Sequence, residues 1–358
     1  MVKNVAEGIL SGSISYILMR SLAGTGNFCR EVLWRSLRNI DITNTTNGSG
    51  DSCMAIMRNM LLYLSKNRTA NRAAKRFGLR FGADRFVAGQ TLEKAMEKVK
   101  ELNDKGIKVT LDHLGEYVFS IEEAEAAASA VVRALAAIHE SGADANVSVK
   151  LTQLGLDLSY DKCLYNMRGI VAAAKRHRNF VRIDMEDYVR NERTLAMYET
   201  LSSAYGPYVG VVLQAYLYKT EKDMIRMKKH APNYRLVKGA YKEDSEVAFP
   251  KKEDVDLNFI KVIELQLRNG HFAAIATHDE QIINHVKQFV QTHNIPRSKF
   301  EFQMLYGIRP MLQQQLVKEG YGMRVYVPYG VDWYGYFMRR LAERPENVSF
   351  VVKSMLKR

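Results

Sequence analysis

Two adjacent arginines near the end of the chain carry the first signal of chemistry. Arg339 and Arg340 follow an aromatic row in the stretch YGVDWYGYFMRRLAER, residues 329–344. Adjacent helical positions diverge by about 100°, so the two side chains could hold a small anion from either side, and the planar guanidinium fork suits a carboxylate. The alternative is structural, because Arg339 and Glu343 are also spaced for an ion pair on a helix surface.

Further polar side chains fall near the ends of short apolar runs. Singly, each has a structural explanation: Lys150 or Asp184 could be half of a buried ion pair, and His278 could be a core histidine. Together, cations, amides and aromatic rings suit an anionic, planar cofactor and a carboxylate substrate. The sequence contains no GxSxG, Walker, GxGxxG or HExxH motif. The residues in question are Asp112, Lys150, Asp184, Glu186, Gln214, Lys238, Thr277, His278, Gln303 and Tyr326.

Eight apolar, β-branched runs alternate with segments of helical length from residue 107 onward. This alternation predicts the α/β class and a (β/α)8 TIM-type barrel, in which chemistry lies at the carboxyl ends of the strands. A doubly wound sheet is the rival, but it lacks the support of a glycine-rich first turn. Ser120 and Glu123 have capping-box spacing, which indicates a helix start. The predicted strands are 107–112, 147–152, 181–186, 209–216, 234–241, 272–279, 300–306 and 324–330.

The first part of the chain has a different character. We expect residues 1–53 to form a poorly defined leader, residues 54–106 a basic helical lead-in, and residues 107–358 the catalytic barrel. Methionines that stand just before the lead-in suggest that the working protein starts there and that the leader is dispensable. These methionines are Met54, Met57 and Met60.

The composition is that of a soluble globular chain with a basic balance. The 358 residues are 47% hydrophobic and carry a formal net charge of +13, which would suit anionic ligands, nucleic acid or a membrane surface. The basic residues are spread along the chain without a nucleic-acid motif, so a solvated basic surface is favoured over nucleic-acid binding. The three cysteines have no metal-type spacing, which is typical of a reducing, cytoplasmic environment.

Several ordered motifs resemble those of the proline dehydrogenase family, close to its bacterial monofunctional branch. RLVKGAY, ATHD and FQMLYGIR, at residues 235–241, 276–279 and 302–309, match together with the arginine-containing stretch, and LDHLGE, VKLTQLG and RIDMED match in the same order. The resemblance covers roughly residues 55–358. It implies a distorted (β/α)8 barrel that binds FAD without a Rossmann domain and oxidises L-proline to 1-pyrroline-5-carboxylate. It also implies that the electrons pass to a membrane quinone.

The resemblance further implies roles for individual residues. Asp184 would be the active-site aspartate beside Lys150, and Arg235 would lie near flavin N5, where a positive charge favours the reduced flavin. Arg339 and Arg340 would clamp the proline carboxylate, joined by Lys150, so that three cations form an anion trap. The proline ring would be enclosed by Tyr241, Leu305 and Tyr326, and the flavin would lie on Met185, Gln214, Val237, Lys238, Gly239, Ala240, Thr277 and His278.

Three further expectations accompany these roles. Glu116 would pair with Arg339 and close the site over substrate, and Gly239 would let the backbone approach the flavin closely. Because the ring nitrogen must be neutral for hydride loss, the rate of flavin reduction should rise with pH. A cationic face would help a cytoplasmic enzyme to visit the inner face of the cell membrane, where a quinone resides.

Two other interpretations stay open on the sequence. A Schiff-base lyase or aldolase on the same barrel would use Lys150 or Lys238 as the reactive amine, and it predicts a colourless protein with borohydride trapping. A binding module for nucleic acid or membranes predicts a steep dependence of binding on salt.

Overall fold

The computed structural model describes Leu61 and residues 83–115, 118–230 and 232–343. Over these ranges one helix precedes the first strand, and a helix follows each of eight strands. The prediction of a (β/α)8 barrel is confirmed. The elements are α1 Leu92–Asn103, β1 Lys108–His113, α2 Ile121–Ser141, β2 Ala145–Val149, α3 Tyr160–Arg176, β3 Val181–Ile183, α4 Tyr188–Tyr205, β4 Val209–Gln214, α5 Thr220–Met227, β5 Tyr234–Val237, α6 Lys252–Arg268, β6 Ala273–Ala276, α7 Glu280–Thr292, β7 Phe300–Leu305, α8 Pro310–Lys318, β8 Met323–Tyr329 and α9 Trp333–Glu343.

The strands pair in parallel in chain order, and β8 pairs with β1 to close the barrel. In the closing register Thr110 lies opposite Tyr326, and Asp112 lies opposite Pro328. Closure leaves no edge strand exposed to another chain. It also brings the carboxyl ends of all strands to one rim, where side chains distant in the sequence can meet.

Side chains alternate between the two faces of each strand. Outward positions such as Val109, Leu111 and Ile275 are apolar and buried in the core between sheet and helices. The inward positions are largely polar, unlike the branched apolar layers common in such barrels. Because buried polar groups need partners, hydrogen bonds must organise this interior. The buried polar residues at inward positions are Thr110, Asp112, Ser148, Arg182, Gln214, Arg235, Glu301 and Gln303.

Four strands end three or more residues earlier than the sequence analysis predicts. β2, β3, β5 and β6 stop at Val149, Ile183, Val237 and Ala276, so the predicted ends at residues 152, 186, 241 and 279 are wrong. After β5 the backbone turns at Gly239, whose φ of +121° is incompatible with a strand. Apolar composition does not mark the last hydrogen bond of a ladder. Several polar residues expected late in strands therefore lie in the loops that follow them.

The start of α2 follows the capping prediction. Ser120 Oγ accepts a hydrogen bond from the backbone N–H of Glu123 at 3.2 Å. The Glu123 carboxylate accepts one from the backbone N–H of Phe119 at 2.7 Å. Both bonds satisfy donors that a helix or its approach would otherwise leave exposed.

The segment before α1 is joined to the end of β8. The Ala88 N–H donates to the Pro328 carbonyl, and the Gly330 N–H donates to the Gly89 carbonyl, each at 2.9 Å. The predicted leader and the three candidate start methionines lie outside the described residues. Within the described ranges, none of the helices combines the length and the hydropathy needed to cross a bilayer.

Candidate active site

A lysine at the end of β2 is the centre of a polar cluster. Lys150 follows Val149 directly, and its side chain is only 14% exposed. Its Nζ donates hydrogen bonds to Asp112 Oδ2 (3.2 Å), Asp184 Oδ2 (3.3 Å) and the Tyr326 hydroxyl (3.1 Å). These partners come from β1, β8 and the loop after β3. Two carboxylates within ion-pair distance stabilise the ammonium form of this side chain.

Asp184, just beyond β3, uses its two oxygens to bind two cations. Oδ2 accepts hydrogen bonds from Lys150 and, at 2.7 Å, from the Tyr326 hydroxyl. Oδ1 accepts one from Arg235 NH1 at 2.8 Å. Burial alone would raise the pKa of this carboxyl, but the charges of Lys150 and Arg235 and the tyrosine hydrogen bond lower it. Asp184 is therefore ionised at neutral pH and fixes both cations in place.

Tyr326 on β8 remains a hydrogen-bond donor at neutral pH. Burial, together with the charges of Asp112 and Asp184, raises the pKa of its hydroxyl well above the ordinary value. Its ring also faces two cations, with Arg235 Cζ 5.2 Å and Lys150 Nζ 5.8 Å from the ring centroid. Both distances lie within the range of cation–π attraction. The ring thus forms one wall of the cationic cluster.

Arg235 on β5 keeps one buried donor unused. Its Nε donates to Gln303 Oε1 (2.6 Å), and its NH1 donates to Ser148 Oγ (3.0 Å) and to Asp184. Arg235 NH2 and Gln214 Oε1 are buried without a hydrogen-bond partner among the described residues. A buried polar group left unpaired costs about 1–3 kcal/mol. A planar ring that carries both acceptors and a donor, as the flavin isoalloxazine does, fits this pair.

The loop after β5 is held by ion pairs and by an aromatic contact. Lys238 Nζ lies 2.5 Å from Asp256 Oδ1 and 3.0 Å from Asp279 Oδ2. A Cβ at Gly239 would lie 2.4 Å from the ring of Tyr216. The glycine is therefore required by a ring of the protein itself, a reason that the sequence analysis missed. The other residues of this segment are the half-buried Val237 and Tyr241 and the exposed Ala240.

His278, in the loop after β6, is a neutral ring. Its Nε2 accepts the backbone N–H of Leu305 at 3.0 Å, which requires a lone pair there and places the ring proton on Nδ1. The neighbouring Thr277 is buried, and its Oγ1 accepts the backbone N–H two residues further on at 3.1 Å. Met185, directly after Asp184, is also buried.

Helix α9 brings the two arginines to the same end of the barrel. Burial raises the pKa of Tyr336 on this helix to about 12. Because α9 begins directly after the carboxyl end of β8, which pairs with β1, the helix starts at the rim where the cluster lies. Arg340 NH2 pairs with Glu343 Oε1 at 2.6 Å, an i,i+3 contact on the helix. Arg340 Cζ also lies 5.1 Å from the centroid of the Tyr336 ring.

The structure joins four of the predicted site residues directly, namely Lys150, Asp184, Arg235 and Tyr326. Glu116, the predicted gate partner of Arg339, lies outside the described residues. The sequence analysis counted Asp112 and Gln303 among the polar strand-end residues without giving them individual roles, and it did not name Ser148. A signal for Ser148 existed, because it stands two positions before Lys150 and so shares its strand face.

These features define a class of protein, a (β/α)8-barrel enzyme. Its rim carries cationic side chains that could bind an anion and buried polar atoms that could bind a planar ring. The sequence profile of the family described as Proline dehydrogenase matches residues 95–353. Proline dehydrogenase 1 of Bacillus subtilis subsp. natto is 51% identical over 303 residues, which are 85% of this chain and 100% of that protein. Proline dehydrogenase of Deinococcus radiodurans is 46% identical over 279 residues, 77% of this chain and 90% of that protein.

A solved structure of a protein that acts in proline utilization has a similar fold. Proline utilization A (PutA) from Bdellovibrio bacteriovorus, inactivated by N-propargylglycine, superposes with a TM-score of 0.69 at 25% identity. The match covers 80% of this chain but only 36% of that longer protein. This chain belongs to the proline dehydrogenase family. Its reaction is the oxidation of proline, and the enzymes of this family depend on a flavin.

Proposed function

We propose that this chain oxidises L-proline to 1-pyrroline-5-carboxylate with FAD as the hydride acceptor, and that a membrane quinone then receives the electrons. The observation that carries the proposal is Arg235, a buried guanidinium fixed by Gln303, Ser148 and Asp184 with its NH2 left unpaired among the described residues. Such a donor, fixed before a ligand arrives, is suited to a ring that gains negative charge on reduction.

The substrate carboxylate is held by the arginines of α9. Helix α9, which carries Arg339 and Arg340, follows the carboxyl end of β8, at the rim where the cluster of Lys150 lies. Lys150 has two carboxylate partners, Asp112 and Asp184, which hold it in place beside the substrate. The guanidinium forks of the arginine pair are assigned the main contact with the carboxylate, and Lys150 joins them from the floor of the site.

The pyrrolidine ring lies against the wall formed by Tyr326, with Tyr241 and Leu305 limiting its size. The Tyr326 hydroxyl is anchored to Asp184 and Lys150, so the wall cannot move aside for a larger ring. Substrates that carry an added ring substituent should be disfavoured by steric conflict. Closing of the site by Glu116 and Arg339 belongs to the same proposal, and Glu116→Ala should raise the KM for proline.

FAD would be held by residues between the loop after β3 and the loop after β6. When bound, it supplies the acceptor for the hydride that leaves proline C5. Arg235 NH2 and Gln214 Oε1 offer a donor and an acceptor, and neutral His278 adds no charge to the site. Lys238 Nζ is engaged by the carboxylates of Asp256 and Asp279, so this amine is not placed to attack a substrate carbonyl as a Schiff-base mechanism requires. The remaining contacts are assigned to Met185, Val237, Gly239, Ala240 and Thr277.

Delivery of electrons to a quinone calls for contact with a bilayer. A cytoplasmic enzyme with a formal net charge of +13 is attracted to an anionic inner leaflet. We therefore expect peripheral binding at the inner face of the cell membrane. Cosedimentation with anionic vesicles that weakens in salt, and is absent with neutral vesicles, would support this part of the proposal. Equal binding to both vesicle types would contradict it.

The visible absorption spectrum of the purified protein, before and after anaerobic addition of L-proline, tests the proposal. We expect a flavin spectrum that bleaches, with released cofactor that coelutes with FAD. Re-oxidation by a soluble quinone analogue faster than by oxygen would support the quinone as acceptor. A flavin that stays oxidised with proline would contradict the substrate, and borohydride trapping in a colourless protein would favour the lysine mechanism.

A further inference from the structure

A row of buried polar side chains continues below the site, inside the barrel. On β7, Glu301 and Gln303 are 6% and 4% exposed and share the inward face. Gln303 Nε2 donates to Glu301 Oε1 at 2.7 Å, and Arg324 Nε donates to the same oxygen at 2.6 Å. Arg324 is itself tied to the Val109 carbonyl at 2.7 Å. On its other side, Gln303 accepts the hydrogen bond of Arg235.

Glu301 determines which end of the Gln303 amide faces Arg235. Burial would raise the pKa of Glu301, but the charge and hydrogen bond of Arg324 and the hydrogen bond of Gln303 lower it. An ionised carboxylate only accepts hydrogen bonds, so the amide nitrogen must face Glu301. The amide oxygen then faces Arg235 Nε, which only donates.

We propose that Glu301 is a positioning residue for Arg235, which acts by holding the Gln303 amide in one orientation and so directs the unpaired NH2 of the guanidinium toward the flavin. The inference rests on the proposed function, since it concerns the group that Arg235 would face. Gln303 is a neutral connector, so it anchors the guanidinium without cancelling its positive charge. A carboxylate at position 303 would anchor it equally well but would neutralise it.

Positioning and simple electrostatics predict shifts of opposite sign. Removal of a buried negative charge by Glu301→Gln would, through space alone, stabilise the reduced, anionic flavin and make its potential more positive. If Glu301 positions Arg235, the carboxamide at position 301 can present its NH2 group to Gln303 as well as its oxygen. The Gln303 amide can then turn its nitrogen toward Arg235, the guanidinium shifts, and the potential becomes more negative. The sign of the shift therefore separates the two explanations.

The experiment measures the flavin reduction potential of the holoenzyme by equilibration with reference dyes. For Glu301→Gln we expect the equilibrium constant for reduction to fall at least tenfold, which is about 30 mV for a two-electron couple. Gln303→Met keeps the ion pair of Glu301 with Arg324 and should give a similar fall. In the double variant, the equilibrium constant for reduction should fall no further than in either single variant, because both substitutions remove the same positioning contact.

Glu264→Gln is the matched control. Glu264 on α6 also bears an ion pair, with Arg268 at 3.3 Å, but lies on the outer layer, and its variant should leave the potential unchanged. A potential that is unchanged or more positive in Gln303→Met would overturn the inference, even if Glu301→Gln fails to fold. Failure of the wild-type flavin to bleach with proline would instead overturn the proposed function.

Discussion

Asp184 offers the strongest test of how the site is held together. In Asp184→Asn the side-chain volume is kept, but the charge that binds Lys150 and Arg235 is lost. Removal of one partner from a buried ion pair costs about 3–5 kcal/mol. Lys150 retains Asp112, and Arg235 retains Ser148 as an acceptor, so we expect the lower end of that range, about 3 kcal/mol.

The assay is thermal unfolding followed by circular dichroism, with FAD in equal excess over both proteins. For the roughly 260 described residues, with an unfolding entropy of about 2.1 cal/mol/K per residue, 3 kcal/mol corresponds to a decrease in Tm of about 5–6 °C. Asp104→Asn is the control, since Asp104 is exposed at the end of α1. Its Tm should stay within about 1 °C of wild type.

The effect of Asp184→Asn on Tm should depend on pH in one direction. The pKa of Asp184 is lowered in the folded chain, so its stabilisation is fully present above the unfolded carboxyl pKa, about 3.9. It is lost as the pH falls through the lower folded value. The Tm difference between wild type and Asp184→Asn should therefore be constant near neutral pH and shrink below about pH 4. A loss no larger than that of the control, or one that grows on acidification, would refute the reasoning.

Three further predictions concern the walls of the site. Tyr326→Phe removes a hydroxyl that bridges a lysine and a carboxylate. Because a hydrogen bond to a charged group contributes about 1.5–3 kcal/mol, kcat/KM for proline should fall at least tenfold. Steady-state kinetics check this, and an unchanged kcat/KM would contradict it. Arg340→Lys should raise the KM for proline more than kcat changes, because a point charge replaces a bidentate fork; a matched Arg268→Lys change on the outer layer should have no effect. Gly239→Ala should lower the Tm by several degrees, since its Cβ would overlap the Tyr216 ring at a φ of +121°; a wild-type Tm would show that the loop can move.

The fold was predictable because each strand repeats one simple pattern. Runs such as VSVKLT and FEFQMLY are short, largely apolar and separated by helical segments. Eight such strand–helix units favour a closed parallel barrel. The strand ends were not predictable in the same way. VRIDME and YRLVKGAY carry no local mark of where pairing stops, because the end of a ladder depends on the neighbouring strand.

The residues of the site were predictable in kind but not in their partnerships. Asp184 was expected beside Lys150 and lies there, but the second carboxylate partner of Lys150, Asp112, was not expected. Residues more than thirty positions apart in sequence form these pairs, and their contact depends on strand register in the closed barrel. The reason for a glycine at position 239 was not predictable either. A side chain there would overlap the ring of Tyr216, which lies on another loop.

The balance of buried charge supports the proposal that the substrate carboxylate binds at α9. Inside the barrel, Lys150 and Arg235 are matched by Asp112 and Asp184, and deeper down Arg324 is matched by Glu301. At the rim, each of these cations already has a carboxylate partner, and the further buried guanidinium, Arg182, donates to the Val211 carbonyl and to Asn233. The cluster therefore has little uncompensated positive charge to offer a substrate. The arginine pair belongs to α9, and Arg340 pairs with Glu343; their side chains are 13% and 45% exposed, respectively. Exchange of the Glu343 carboxylate for that of proline would return the more exposed partner to water and keep the buried guanidinium paired.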